Sequence, residues 1–375
     1  MSLRIEHIAF SDFRNYEALD LNGISDLTVF VGPNAVGKTN IVEGIQLLTA
    51  QSSFKHPTSL QMIRQGATSA RLAADVSDGN RELSIALSLS EGKRSFSLNG
   101  KMKRTADLKG LAPSVSFTPD DLQLSKGSMS LRRDAIDAMG SQMSRNHYLI
   151  RKDWDKVLRQ KNMLLKDEAD VLMLESVNDL VITCGAQLTC YRAALFAKLS
   201  AYMESYYSEI AGSSERMDAR FAPSWAREGE WLSRDEALTK GDARSLLAEA
   251  LKEKLSEERI RRRSLVGPQA DRIEFFVGGK QVSVYGSQGQ QRSVVLAFKL
   301  AEVSLIRDIL SQQPILLLDD VMSELDEHRR RSLVQFVSSD IQTFITTANL
   351  AYFDKDLLAH ADIVQLPLEG GKRNG

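Results

Sequence analysis

GPNAVGKT, Gly32 to Thr39, follows the apolar run Leu27–Val31 and precedes a helical pattern over Asn40–Thr49. It fits G-x-x-x-x-G-K-[ST], where glycines let backbone N–H groups turn inward around phosphate oxygens and the next helix presents its positive end. Strand, loop and helix in that order is the setting such a loop needs. Gly32, Pro33, Asn34, Ala35, Val36, Gly37, Lys38, Thr39 and Asn40 are therefore expected to wrap the phosphates of a nucleotide. Lys38 would bridge the β- and γ-phosphates, and the Thr39 hydroxyl would bind Mg2+. About 250 residues further on, YGSQGQQR, Tyr285 to Arg292, opens a second helix, because Ser293–Ile306 is apolar at helical spacing. A Ser hydroxyl and a Gly N–H at that N-terminus can hold an anion.

Outward from these loops, 375 residues allow about two domains with real cores. Hydrophobic residues make up 43% and charged residues 26%, an ordinary globular composition. A formal charge of −1 supplies no bulk attraction to nucleic acid, so any such contact must be local. Cys184 and Cys190 match neither a disulfide framework nor zinc spacing and read as small buried apolar groups. MSLRIEHIAF starts directly in a strand-like alternation, and no apolar run approaches membrane-spanning length, so a cytoplasmic protein without a membrane partner is expected.

Leu3–Phe10 reads as a further strand, and three alternating segments between Arg71 and Leu98 suggest an antiparallel meander. From about Gly127 to Arg263 strand signals almost vanish, and helices are expected over 131–140, 145–165, 169–210 and 243–263. The third is too long for a compact core unless it kinks or forms an arm. Gly212–Trp231 interrupts with Gly, Ser and Pro as a tip or crossover. Strand signals return at Ile273–Val277 and Gln281–Val284 around a Gly278-Gly279 turn, then at Ile315–Leu318 and Gln342–Thr346. The polar run Gly370–Gly375 is expected to fray. The expected organisation is thus an α/β head formed by 1–126 and 265–375, with a helical arm, 127–264, inserted.

Ile315 to Asp320 is an apolar strand ending in two carboxylates, and Asp319 suits a Walker B role of holding Mg2+. The pair of loops resembles the phosphate and signature loops of ATP-binding-cassette proteins. That resemblance implies ATP as cofactor, with Ser287, Gln288, Gly289, Gln290 and Gln291 acting on the γ-phosphate held by another copy. It also makes Lys38 and Asp320 the catalytic candidates. Asp320 stands where cassettes usually carry a glutamate; it is one methylene shorter, so turnover below roughly 10 s−1 is expected. Ser323-Glu324-Leu325-Asp326 falls at the spacing of a D-loop. Thr347 stands where transporters carry a switch histidine, and a hydroxyl there can bond a phosphate but accepts no proton near neutral pH. The long gap between the loops and the absent histidine argue against a transporter cassette.

Basic clusters that could meet a phosphate backbone are Lys101, Lys103 and Arg104; Arg132 and Arg133; Arg151 and Lys152; and the run Arg259 to Arg263, with Arg261 and Arg262 at its centre. A dimer would double each patch.

Phe13-Arg14-Asn15-Tyr16, GPNAVGKTN, FTPDDL (Phe117 to Leu122), LVGP (Leu265 to Pro268), GSQGQQR and LLLDDVMSELDEHRR together resemble the RecF family of bacterial recombination mediators, over nearly the whole length. The family sits with the SMC-type DNA-repair ATPases but has a short helical arm in place of a long coiled coil. The resemblance implies an ATP-dependent homodimer on duplex DNA near single-strand gaps, working with RecR and RecO to load RecA. It also implies a slow, DNA-stimulated ATPase that resets the clamp. By motif, Arg14 would approach the nucleotide phosphates and Asn34 the γ-phosphate, while Phe117–Asp121 would occupy the Q-loop position. Where the family carries a GPHRDD-like stretch, Gln269 and Ala270 here replace the histidine and arginine, with Asp271 retained. A scaffold that binds nucleotide without productive hydrolysis is the alternative that the short Asp320 leaves open.

Overall fold

The computed structural model describes residues 2–212, 215–337 and 340–368; Gly370–Gly375 lie outside the described residues. In chain order, β1 (Arg4–Phe13) and β2 (Tyr16–Asn22) form a hairpin, and β3 (Leu27–Val31) runs into the glycine loop and α1 (Lys38–Thr49). A one-turn α2 (Ser59–Met62) precedes the meander β4 (Ser69–Ser77), β5 (Glu82–Ser90), β6 (Lys93–Leu98) and β7 (Lys101–Lys103). After β8 (Ser114–Phe117) come α3 (Gln123–Lys126), α4 (Met129–Met143), α5 (Arg145–Lys166), α6 (Val171–Ala211), β9 (Met217–Ala222) and α7 (Lys240–Arg261). Next are β10 (Arg272–Val277), β11 (Lys280–Gln281), α8 (Val282–Tyr285) and α9 (Gln288–Leu310). The chain ends with β12 (Ile315–Asp319), α10 (Glu327–Val337), β13 (Thr343–Thr347), α11 (Lys355–Ala359) and β14 (Asp362–Gln365).

One compact unit comprises residues 1–122 and 302–375. It holds an antiparallel sheet in the order β2-β1-β4-β5-β6-β7 and a parallel sheet in the order β14-β3-β13-β12-β8. Ile8 and Phe10 alternate onto one buried face of β1, and a register shift between Ile5 and His7 lets Ile5 be buried as well. β3 and β12 are mainly apolar runs and β13 carries three threonines, yet all three strands are buried on both faces, as parallel strands usually are. Helix α1 lies in the shared core: Ile41, Val42, Ile45, Leu47 and Leu48 cluster with Phe10, Leu72, Leu317 and Phe344. Its Gly44 passes so close to the Phe10 ring that an added Cβ would meet it at 2.4 Å. Burial around that helix holds the glycine loop at the carboxyl ends of the parallel strands, where α/β sheets place ligands.

The second unit, Gln123–Ala301, contains the helices and the small sheet β11-β10-β9. Residues 265–301, assigned to the head from sequence, pack here instead, because β10 pairs along its whole length with β9 and Phe275 meets Phe298 edge-on at 6.3 Å. Two local readings are corrected. β9 falls inside the stretch read as strandless, with Met217, Ala219 and Phe221 buried in alternation. Val282–Tyr285 alternates like a strand yet closes a helical turn, with Gly286 N–H donating to the Val282 carbonyl at 3.0 Å.

Helix α6 spans 41 residues, about 60 Å at 1.5 Å per residue. Asp170 caps its start by accepting the Met173 N–H at 2.8 Å, and Gly212 at φ 56° ends it. Contrary to the reading above, part of it is long and apolar enough to cross a membrane, with an 18-residue stretch of mean hydropathy 1.3, half buried inside the unit. What accounts for that apolarity is packing: Val177, Val181, Ala186 and Leu188 cluster with Trp154 of α5 and with Leu247 and Leu251 of α7. Two buried charge groups fix the register. Lys161 of α5 and Glu258 of α7 stand 2.7 Å apart with neither side chain exposed. Arg192, mid-way along α6, bonds Asp137 at 2.6 and 2.8 Å and Asp271 at 2.9 Å.

Candidate nucleotide site

The glycine loop does what its sequence requires of it locally. Gly37 takes φ 109° and Ala35 φ 66°, and α1 begins at Lys38. Lys38 is 7% exposed, and its ammonium donates to the carbonyls of Gly32 and Pro33 at 2.7 and 2.9 Å, curling back over the loop. Asn34, Ala35, Gly37, Lys38, Thr39, Asn40 and Asp320 line one cleft of about 260 Å³. A larger groove, about 350 Å³ beside Trp231 and Arg234, has no phosphate-binding loop.

The strand order brings the carboxylates to this loop. With β13 between β3 and β12, Asp319 pairs in register with Thr346, and Thr346 with Phe30. The Thr39 hydroxyl donates to Asp319 Oδ1 at 2.9 Å, and the Thr346 hydroxyl donates to the same oxygen at 2.7 Å. Burial pushes the Asp319 carboxyl above its ordinary range, eased by those two hydroxyls. Asp320 is raised too, mainly by burial, while Lys38 pulls it down and Asp319 and Glu324 push it up. Asp320 adopts φ 52°, uncommon for a non-glycine residue, and its N–H donates to the Thr346 carbonyl and hydroxyl at 3.2 and 3.0 Å.

No group of three or more His, Cys, Asp or Glu side chains stands ready for a metal among the described residues. Mg2+ needs no such cage: it binds through one or two carboxylates, phosphates and water. The Thr39 hydroxyl and Asp319 carboxylate fit that ligand type and would hold it. Thr346 was not singled out from sequence, where the neighbouring Thr347 was. The Thr347 hydroxyl instead closes on Asn349, donating to its carbonyl at 3.0 Å and accepting its N–H at 3.1 Å. Thr346→Val should therefore weaken Mg2+-dependent nucleotide binding by roughly tenfold, the value of a hydrogen bond to a charged group. Titration with and without Mg2+ checks this; a loss equal in both conditions contradicts it.

Arg14 lies against α1: its guanidinium makes two bonds to the fully buried Glu43, at 2.9 and 2.7 Å, and a third to the Gln61 carbonyl. Ser287 caps α9 in a reciprocal box: its hydroxyl accepts the Gln290 N–H at 3.2 Å, and the Gln290 side chain accepts the Ser287 N–H at 2.9 Å. Ser287 and Gln288 are exposed, and Gln291 donates to the Gly286 carbonyl. Asp326 accepts the Arg329 N–H at 3.0 Å.

The basic candidates divide by burial. Arg132 is 1% exposed, with its donors on the Leu124, Ser125 and Ile273 carbonyls and on Glu274. It is structural and leaves the nucleic-acid set. Arg133 is half-buried and donates to the Asp271 carbonyl, and Arg151 pairs with Asp137 at 2.7 Å. Lys101 and Lys103 are exposed on β7 at the edge of the antiparallel sheet, where lysines also discourage strand addition. Arg104 pairs with Asp107, Arg261 with Glu257 and Arg262 with Glu168, all at the surface.

A phosphate loop and Walker B strand on a parallel sheet, with an inserted helical unit, define the class of heads that residues 4–361 match as a family: the RecF/RecN/SMC N-terminal domain. Among curated relatives, the DNA replication and repair protein RecF of Halalkalibacterium halodurans is 33% identical, covering 100% of both chains. That of Lactobacillus johnsonii is 32% identical over 92% of each. The chain belongs to the RecF family of DNA replication and repair proteins. A solved structure described as the recombination mediator protein RecF bound to an ATP analogue, in the RecFOR pathway, superposes with TM-score 0.88 at 26% identity, covering 99% of this chain and 97% of the other. An SMC head with an extended coiled coil, from Pyrococcus furiosus, has the same fold at TM-score 0.53 and 16% identity.

Proposed function

We propose that the chain is an ATP-dependent DNA-binding clamp of recombinational repair and replication-fork recovery, acting in the cytoplasm as a switch with slow hydrolysis. ATP with Mg2+ joins two copies on duplex DNA beside a single-strand gap, and RecR with RecO then directs RecA to the gap. The convergence of Thr39 and Asp319, at 2.9 Å beside the Lys38 loop, carries this reading. It supplies the hydroxyl, carboxylate and cation that bind Mg2+-ATP and would keep them aligned. Two further features support it: the relative solved with an ATP analogue, and the exposed Ser287 at the start of α9, free to meet a second copy. Lys101, Lys103, Arg104, Arg261 and Arg262 are the cations we assign to the DNA backbone, together with the half-buried Arg133.

Sedimentation with and without a non-hydrolysable ATP analogue, on gapped and on intact duplex, tests the reading. The chain should be monomeric alone and dimeric with nucleotide. Ser287→Arg should bind nucleotide with unchanged affinity and stay monomeric. Dimers of Ser287→Arg as abundant as wild type would sink the composite site.

A further inference from the structure

The end of β1 and the turn joining it to β2 are held in an unusual shape. Asp12 and Arg14 both lie in the left-handed region, at φ 51° and 56°, which side chains with a Cβ rarely adopt. Such outliers persist only where neighbours over-determine them. Here the Arg64 N–H donates to the Asp12 carbonyl at 2.7 Å, the Arg14 N–H donates to the Met62 carbonyl at 2.8 Å, and the buried Glu43 grips the Arg14 guanidinium. Asn15, between these anchors and β2, is thereby aimed at the phosphate loop. Its Nδ2 donates to the Val36 carbonyl at 3.0 Å, and its Oδ1 accepts Asn40 Nδ2 at 2.8 Å. The approach is so close that a Cβ on Gly37 would stand 2.4 Å from Asn15 Nδ2. Gly37 is thus required twice, for its φ of 109° and for the space Asn15 occupies.

A peptide unit is planar and trans, so its C=O and N–H point in opposite directions. Drawing the Val36 carbonyl toward Asn15 turns the Gly37 N–H away from Asn15. We propose that Asn15 is a positioning residue for nucleotide binding, setting the Val36–Gly37 peptide so that the Gly37 N–H faces the phosphate. The ligand class is a nucleoside di- or triphosphate, and the inference rests on the reading of this loop as an ATP site. Asn15 makes both bonds from the surface, so the core does not depend on it.

Asn15→Ala in the full chain should bind ATP and ADP about tenfold more weakly, the equivalent of the two lost bonds. Its thermal midpoint without nucleotide should stay within about 2 °C of wild type, as for a surface change. The isosteric Asn15→Asp can still accept from Asn40 but cannot donate to the Val36 carbonyl, and should bind no better than the alanine variant. Wild-type affinity in either variant overturns the proposal, as does an affinity loss matched by a fall in the nucleotide-free midpoint. A wild-type chain that binds no ATP would instead defeat the function reading and is seen in the same titration.

Discussion

Lys38→Met is expected to lower ATP affinity by roughly 10- to 100-fold, the range for charge-assisted hydrogen bonds made to a ligand. Methionine matches the apolar stem of lysine, so the buried path of the stem is refilled and α1 keeps its packing. What disappears is the ammonium, and with it the donors now shared by the Gly32 and Pro33 carbonyls. Those donors already point into a cleft that Thr39, Asn40 and Asp320 also line, so a phosphate competes for them without a large rearrangement. Calorimetric titration of the variant is the check. A change below about threefold would remove Lys38 from phosphate binding and leave Thr39 and Asp319 to carry the site.

Arg192→Met should destabilise the helical unit by about 3–5 kcal/mol, the usual cost of removing one partner from a buried ion-pair group. Two carboxylates, Asp137 and Asp271, would be left facing an apolar side chain, with only Arg151 and His147 still on Asp137. Guanidinium denaturation reads the loss directly, and since domains hold only about 5–15 kcal/mol in total the unit could unfold at physiological temperature. A midpoint close to wild type would mean that water or a shifted Arg151 replaces the guanidinium. The two acids respond to pH in opposite senses. Asp137 is held well below the ordinary range by Arg192, His147 and Arg151 against its burial, so its contribution is present above about pH 4 and lost as pH falls. Asp271 gets only a share of Arg192, and burial pushes it up to about 6. Its contribution is present below about pH 4 and lost as pH rises through 6.

The sequence carried the glycine loop, the parallel strands and the long helices, because each depends on local chemistry or on a period that survives without partners. It did not carry what depends on who the neighbours are. Arg132 and Arg133 read as a basic patch, since a charge on a helix looks the same whether it faces water or Glu274. Thr346 and Thr347 are adjacent hydroxyls at a strand end, and only the pairing of β12 with β13 decides that Thr346 meets Asp319. Residues 217–222 do alternate, but the strand is short and its partner, β10, lies some 55 residues later. Glu43 had a weak signal: a carboxylate among Ile41, Val42 and Ile45 needs a buried partner, and Arg14 is that partner. Asn15 stood inside the Phe13–Tyr16 motif, but its role was not legible, because nothing local says where a turn asparagine points.

The order β14-β3-β13-β12-β8 has a bearing on how the protein is made. Neither β3 nor β8, the two strands from the first third of the chain, pairs with the other; each waits for a neighbour from beyond residue 312. At the ribosome's pace of about 5–20 residues per second, the glycine loop emerges some 15–60 s before Asp319 can reach it. The helical unit, whose partners are nearer in sequence, can assemble during that interval. A nascent chain therefore has no assembled site with which to take up ATP, and that site is completed only once synthesis is nearly finished.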